Sequence, residues 1–125
     1  MSYKIFLSED QKYIILEQWG EINSELANQR VLEAHALGAE LGIALYLVDL
    51  TEARNVDSII NSYKYAYEDT KTSSGISLNV RVAMLVSPED HSHDFVETVL
   101  RNAGHNVKLF RDRGLAIQHL LVKQQ

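Results

Sequence analysis

The chain has no cysteine among its 125 residues. That removes disulfides, thiolate metal sites and cysteine nucleophiles, agrees with a reducing compartment, and leaves the fold to stand on its core. No apolar run approaches the roughly 18 residues that a membrane helix needs, and Met1 to Asp10 lacks the basic start and long apolar segment of a signal peptide. The expectation is a cytoplasmic chain without a membrane span. An excess of positive charge is also missing: the formal net charge is -5, and Lys64, Lys71, Arg81, Lys108, Arg111 and Arg113 are interleaved with acids. This argues against nucleic-acid binding. Lys108, Arg111 and Arg113 form the one local basic cluster and read as a solvated strand end and helix start. Glycines at 20, 38, 42, 75, 104 and 114 never take the spacing of a nucleotide fingerprint, so no ATP or dinucleotide cofactor is expected. Low-complexity tracts, repeats and linkers are absent, and 46% apolar with 23% charged residues fits one globular domain over 1–125.

What is present is organised around Ile43 to Ser58, IALYLVDLTEARNVDS. Ile43 to Val48 is apolar without alternation, as in a strand covered on both faces, and Asp49 is the first charge to interrupt it. The pattern predicts a strand over Ile43 to Leu50, then a loop and a helix start at Thr51 to Ser58. Ahead of it, Tyr3–Leu7 and Tyr13–Trp19 flank the polar turn Ser8-Glu9-Asp10-Gln11 and predict a hairpin that Gly20 breaks. Asn23 or Ser24 caps a helix carrying Leu26, Ala27, Arg30, Val31, Ala34, His35, Leu37 and Gly38, with Gly42 closing the connection. Behind it, Asn55 or Asp57 caps a second helix through Ile59, Ile60, Tyr63, Ala66 and Tyr67, and Lys71 to Ser77 is a connection. Val80 to Val86 is a buried strand. Ser87-Pro88 is read as the cap and first turn of a third helix, whose stripe is Phe95, Val96, Val99, Leu100 and Ala103, ending at Gly104. Val107 to Phe110 is a last strand, and Gly114 to Val122 a terminal helix with Leu115, Ala116, His119 and Leu120 on one face. The order ββαβαβαβα predicts an α/β fold with a mixed central sheet, parallel members and helices packed on it.

No reaction is legible. His91 and His93 with Glu89, Asp90 and Asp94 are the one cluster of metal-ligand types, but His-x-His at a helix start turns the rings apart. The group reads as a solvated acidic first turn, and no metal is expected. His35, His105 and His119 have no partner by spacing, and Glu68-Asp69 and Glu89-Asp90, adjacent in sequence, point in different directions on a helix. No catalytic residue can be named. Loops at the carboxyl ends of parallel strands meet ligands and partners, so Asp49, Thr51, Asp57, Ser58 and Ser87 form the candidate interaction face. A negative charge on Ser58 would sit well at a helix start.

At LYLVDLTEARNVDSI the chain resembles the STAS superfamily, the domains shared by sulphate transporters and anti-sigma-factor antagonists. Its second half, RVAMLVSPEDHSHDFVETVLRNAGHNVKLFRDRGLAIQHLL, is similar to the SpoIIAA-like family of small bacterial proteins, in Arg81 to Val86, Phe95 to Gly104, Val107 to Phe110 and Ala116 to Leu120. Antagonists carry Asp-Ser-Ser-Gly and are phosphorylated on the second serine; here Asp57-Ser58-Ile59-Ile60 puts Ile59 at that position. His119 stands where the pattern often has Trp. The resemblance implies a SpoIIAA-like fold and a non-enzymatic regulatory module that binds a protein partner or a second copy of itself. A binder of an apolar small molecule or lipid ranks second, an unrecognised enzyme third.

Overall fold

The alternating and apolar runs become a five-stranded sheet in the computed structural model, which describes residues 2–56, 80–102, 104 and 106–122. The elements are β1 (Tyr3–Leu7), β2 (Ile14–Ile22), α1 (Ser24–Leu41), β3 (Leu45–Asn55), β4 (Arg81–Leu85), α2 (Asp94–Asn102), β5 (Asn106–Phe110) and α3 (Arg113–Leu121). Strand order follows the sequence, antiparallel for β1 with β2 and parallel from there on. The expected second helix, from Ile59 to Tyr67, lies outside the described residues.

The hairpin turn is held by Ser8, whose hydroxyl donates to Asp10 at 2.6 Å and accepts from the Lys12 and Tyr13 amides at 3.1 and 3.2 Å. Helix α1 starts where the Asn23 side chain accepts from the Leu26 amide at 2.9 Å, and it ends at Gly42, whose left-handed backbone directs its amide to Gly38 O. The apolar run of β3 splits by the strand period of two. Tyr46, Val48 and Leu50 join Ile14, Leu16, Met84 and Val107 in one cluster, which Ala34 of α1 and Leu100 of α2 also contact. Leu47 joins Ile15, Ala83 and Leu85 in the other, covered by Ala116 and Leu120 of α3. Helices α1 and α2 both pack on the first of these clusters and so lie on one face. Helix α3, after the last strand, closes the other.

Four expectations are corrected. Gly20 does not break β2, because glycine takes its positive φ of 86° without a Cβ penalty and the strand continues to Ile22. Thr51 to Asn55 is strand rather than loop or helix cap, since the lengthened β2 gives it a partner from Trp19↔Glu52 to Ile22↔Asn55. Ser87-Pro88 forms a turn, with the Asp90 amide on Ser87 O at 3.1 Å, and α2 begins only at Asp94. Leu115 is 57% exposed; α3, capped by Asp112, turns Ala116 and Leu120 inward instead.

Arg81, in the first position of β4, donates from Nη1 to the carbonyls of His119, Leu120 and Val122 at 3.0, 3.1 and 2.7 Å and so caps the C-terminus of α3. Beside it, His119 lies against the Phe110 ring, centroids 5.3 Å apart, and its Nε2 is buried with no hydrogen-bond partner. Burial holds this imidazole below the usual histidine value, and Arg81, Lys108 and Arg101 act in the same sense. The unfolded chain therefore binds the proton near pH 6.5 while the folded chain resists it. Its contribution is complete above about pH 6.5 and is lost as the pH falls from there through the folded-state value. His119→Phe, which needs no proton and no partner, gains melting temperature on the wild type as the pH drops from 7.5 to 5.5. Paired melting curves check this; a constant difference would place His119 outside the pH response.

Candidate interaction site

The carboxyl end of β3 is built around a bulge. Glu17 faces Asp49 but Trp19 faces Glu52, so β3 carries one extra residue at Leu50 and Thr51. Asp49, 4% exposed, supplies what the broken ladder loses: Oδ1 accepts from the Thr51 amide at 3.0 Å and the Thr51 hydroxyl at 2.7 Å, and Oδ2 pairs with Arg113 at the start of α3. Asp49 is thus a structural clamp. Its carboxylate is turned toward the sheet and α3.

Past the bulge, Thr51–Arg54 of β3 form one wall of an open cleft of about 590 Å³, and Ser87 with Glu89–Ser92 form the other. Thr51 and Ser87, which the sequence suggested would share one edge, do so because Asp49 and Leu85 are register partners on neighbouring parallel strands. Asp57 and Ser58 lie outside the described residues. Ala53 is the one apolar residue type in the lining, but the stems of the threonine, glutamate and arginine side chains leave more apolar than polar surface exposed, with charged and hydroxyl groups set among it. This cleft offers both kinds of contact.

The second wall is pinned by its own side chains. Asp90 Oδ1 accepts from the Ser92 amide at 2.8 Å, which with His93 and Arg54 overcomes the opposing effect of burial and keeps the Asp90 carboxyl below its usual range. His93 was expected to be solvated; instead it is 2% exposed, with Nε2 at 3.2 Å from Ala53 O and 3.4 Å from Asp90 Oδ2. Two acceptors on one nitrogen mean that Nε2 carries the proton. Burial follows from the shape of the turn: without a helix at Ser87-Pro88, residue 93 folds back against the edge of β3 at Ala53. His91 does stay at the surface, with Nδ1 2.8 Å from Asp94 Oδ2, and Arg111 bonds Asp94 Oδ1 at 3.0 Å and Asp90 O at 3.0 Å. The His91 hydrogen bond, then Arg111, hold the Asp94 carboxyl low against its partial burial. The two histidines therefore point to different partners, and among the described residues no group of three His, Asp or Glu side chains is arranged to hold a metal.

Sequence reasoning missed His93, Arg111 and Arg113. The basic cluster was visible, but two of its members find acids 64 and 17 residues away in sequence, a pairing that only the fold creates.

No protein-family model matches the sequence, and no curated protein matches it. Among solved structures the chain is similar to the crystal structure of an uncharacterised protein of the DUF3478 family with a SpoIIAA-like fold from Shewanella loihica PV-4. The TM-score is 0.55 at 19% identity, over 94% of this chain and 91% of that one. No helix among the described residues is long and apolar enough to cross a membrane. With its mixed five-stranded sheet, antiparallel only between β1 and β2, and helices on both faces, the chain has the SpoIIAA-like α/β fold that its sequence resemblance implies.

Proposed function

We propose that this protein is a non-enzymatic regulatory module that binds a protein partner through the cleft between Thr51–Arg54 and Ser87–Ser92. The observation that carries the reading is the convergence of two strand ends, β3 and β4, on one open cleft that exposes charged and hydroxyl groups. A rigid sheet behind it and a wall held by Asp90, His93 and Arg111 present a preformed surface, which lowers the ordering cost of association. Asp49 supports the face by fixing the bulge, and Thr51 and Ser87 line the cleft. Asp57 and Ser58, which follow β3 directly in sequence, extend the same reading.

The test is Ser87→Arg, which puts a long cation on the cleft wall, against Lys4→Glu on β1 at the far edge of the sheet. A partner captured on the wild type and then purified should bind the Ser87 variant at least about tenfold more weakly and the Lys4 variant unchanged, with both variants melting like the wild type. Loss of binding in Lys4→Glu alone would move the working surface to the other edge.

A further inference from the structure

Resting on that reading, we infer that the cleft is a strand-addition site: the edge of β3 from Ala53 to Asn55, which no strand among the described residues pairs, takes an extended, basic polypeptide segment. Strand β3 has eleven residues and β4 only five, and their pairing stops at Asp49↔Leu85. Beyond that point β3 still pairs with β2 on one side, and among the described residues no strand covers the other. The direction of the backbone groups follows from two bonds. Val56 donates its amide to Ile22 O of β2, so its odd-numbered neighbours point away from β2, and the Ala53 carbonyl does so, meeting His93 from the cleft side at 3.2 Å. The Ala53 amide and the amide and carbonyl of Asn55 share that direction. His93 occupies one of these edge groups, and among the described residues no backbone partner meets the others.

A bare strand edge is normally blunted by lysine or proline. The two outer strands obey this rule, with exposed Lys4 in β1 and exposed Lys108 in β5. The inner edge, Thr51-Glu52-Ala53-Arg54-Asn55, has neither. Its charge selects the occupant: the Arg54 charge acts on Asp90, whereas Glu52 and Glu89, one on each wall, have no ion pair among the described residues. In a chain of net charge -5 these two carboxylates favour a segment carrying lysine or arginine. Backbone bonds would give such a segment its affinity, and its alternate side chains would reach the carboxylates.

The probe is a terminally blocked eight-residue peptide of alternating lysine and valine, titrated against the full chain. Two versions N-methylated on every second amide, in the two possible frames, each lack the donors along one edge, and a glutamate and valine peptide reverses the charge. Binding should slow hydrogen exchange at the Ala53 and Asn55 amides. One methylated frame should bind at least about tenfold more weakly while the other keeps its affinity, and charge reversal should also cost about tenfold or more. Glu52→Gln with Glu89→Gln, both surface changes, should weaken the lysine peptide several-fold and flatten its salt dependence. Equal binding in both methylated frames, or no added protection at Ala53 and Asn55, overturns strand addition, as does a lysine peptide that fails to bind. The Ser87→Arg test uses the natural partner, so a working surface without strand addition would show there as continued sensitivity to Ser87.

Discussion

Leu47→Asp abolishes the cooperative folding transition. Leu47 has 0% exposure, lies between Ile15 of β2 and Ala83 of β4, and packs under Ala116 and Leu120 of α3. Losing the leucine alone costs about 2–5 kcal/mol. An aspartate there adds a carboxylate with no partner, ionised or protonated, and so a further penalty of about 1–3 kcal/mol or more. Together these remove about half or more of the roughly 5–15 kcal/mol by which a protein is stable. Urea titration followed by circular dichroism should show no folded baseline for Leu47→Asp, whereas Leu47→Ala keeps a transition at lower urea. A wild-type melting temperature for the aspartate variant would refute the burial of this strand.

Gly38→Ala lowers stability although it improves helix propensity. By propensity alone, replacing a glycine inside α1 with alanine should gain about 1 kcal/mol. The structure reverses the sign. A Cβ at Gly38 would stand 2.7 Å from Ile43 O and 2.8 Å from Tyr46 Cζ, and closer still to the Tyr46 hydroxyl. Tyr46 has little freedom to yield, since its hydroxyl bonds Ile43 O at 3.2 Å and its ring lies 4.6 Å from that of His35. Overpacking of this kind costs about 1–3 kcal/mol, and here the turn Leu41 to Ile43 has to shift as well. The expected outcome is a melting temperature lower by several degrees. Tyr46→Phe, which removes the nearest atom, should recover part of the loss, so the double variant is more stable than the sum of the single effects. An increase in melting temperature for Gly38→Ala would mean that α1 does not approach β3 at this point.

The sheet was legible because its strands announce themselves locally. Ile43 to Val48 and Val80 to Val86 are too apolar for a surface, and the polar turn at Ser8 to Gln11 can only reverse the chain. Cap chemistry was equally local: Asn23 and Gly42 bound α1 as their residue types suggest. Errors arose where a local signal met a distant partner. Gly20 and Thr51 to Asn55 look like breakers or loop, yet each serves as the other segment's ladder partner, and pairing across about 33 residues outweighs propensity. Pro88 is at home in a first helical turn, but the Asp90 and Ser92 turn and the reach of His93 to Ala53 fix it in a tight bend.

The amino-acid order by itself determined the fold class, the strands, the caps of α1, and the edge of the sheet at which Thr51 and Ser87 emerge. All of these follow from the period of apolar residues and from turn chemistry within a few positions. The tertiary structure alone decided what the charged residues do. Asp49 was the first charge after an apolar strand, and only the bulge beside it and Arg113, 64 residues on, make it a clamp. His93 became a buried donor, and β3 runs six residues past its last pairing with β4 because β4 ends at Leu85. Charge pairing and edge exposure depend on register between strands, and register is a property of the assembled sheet that no single stretch of sequence contains.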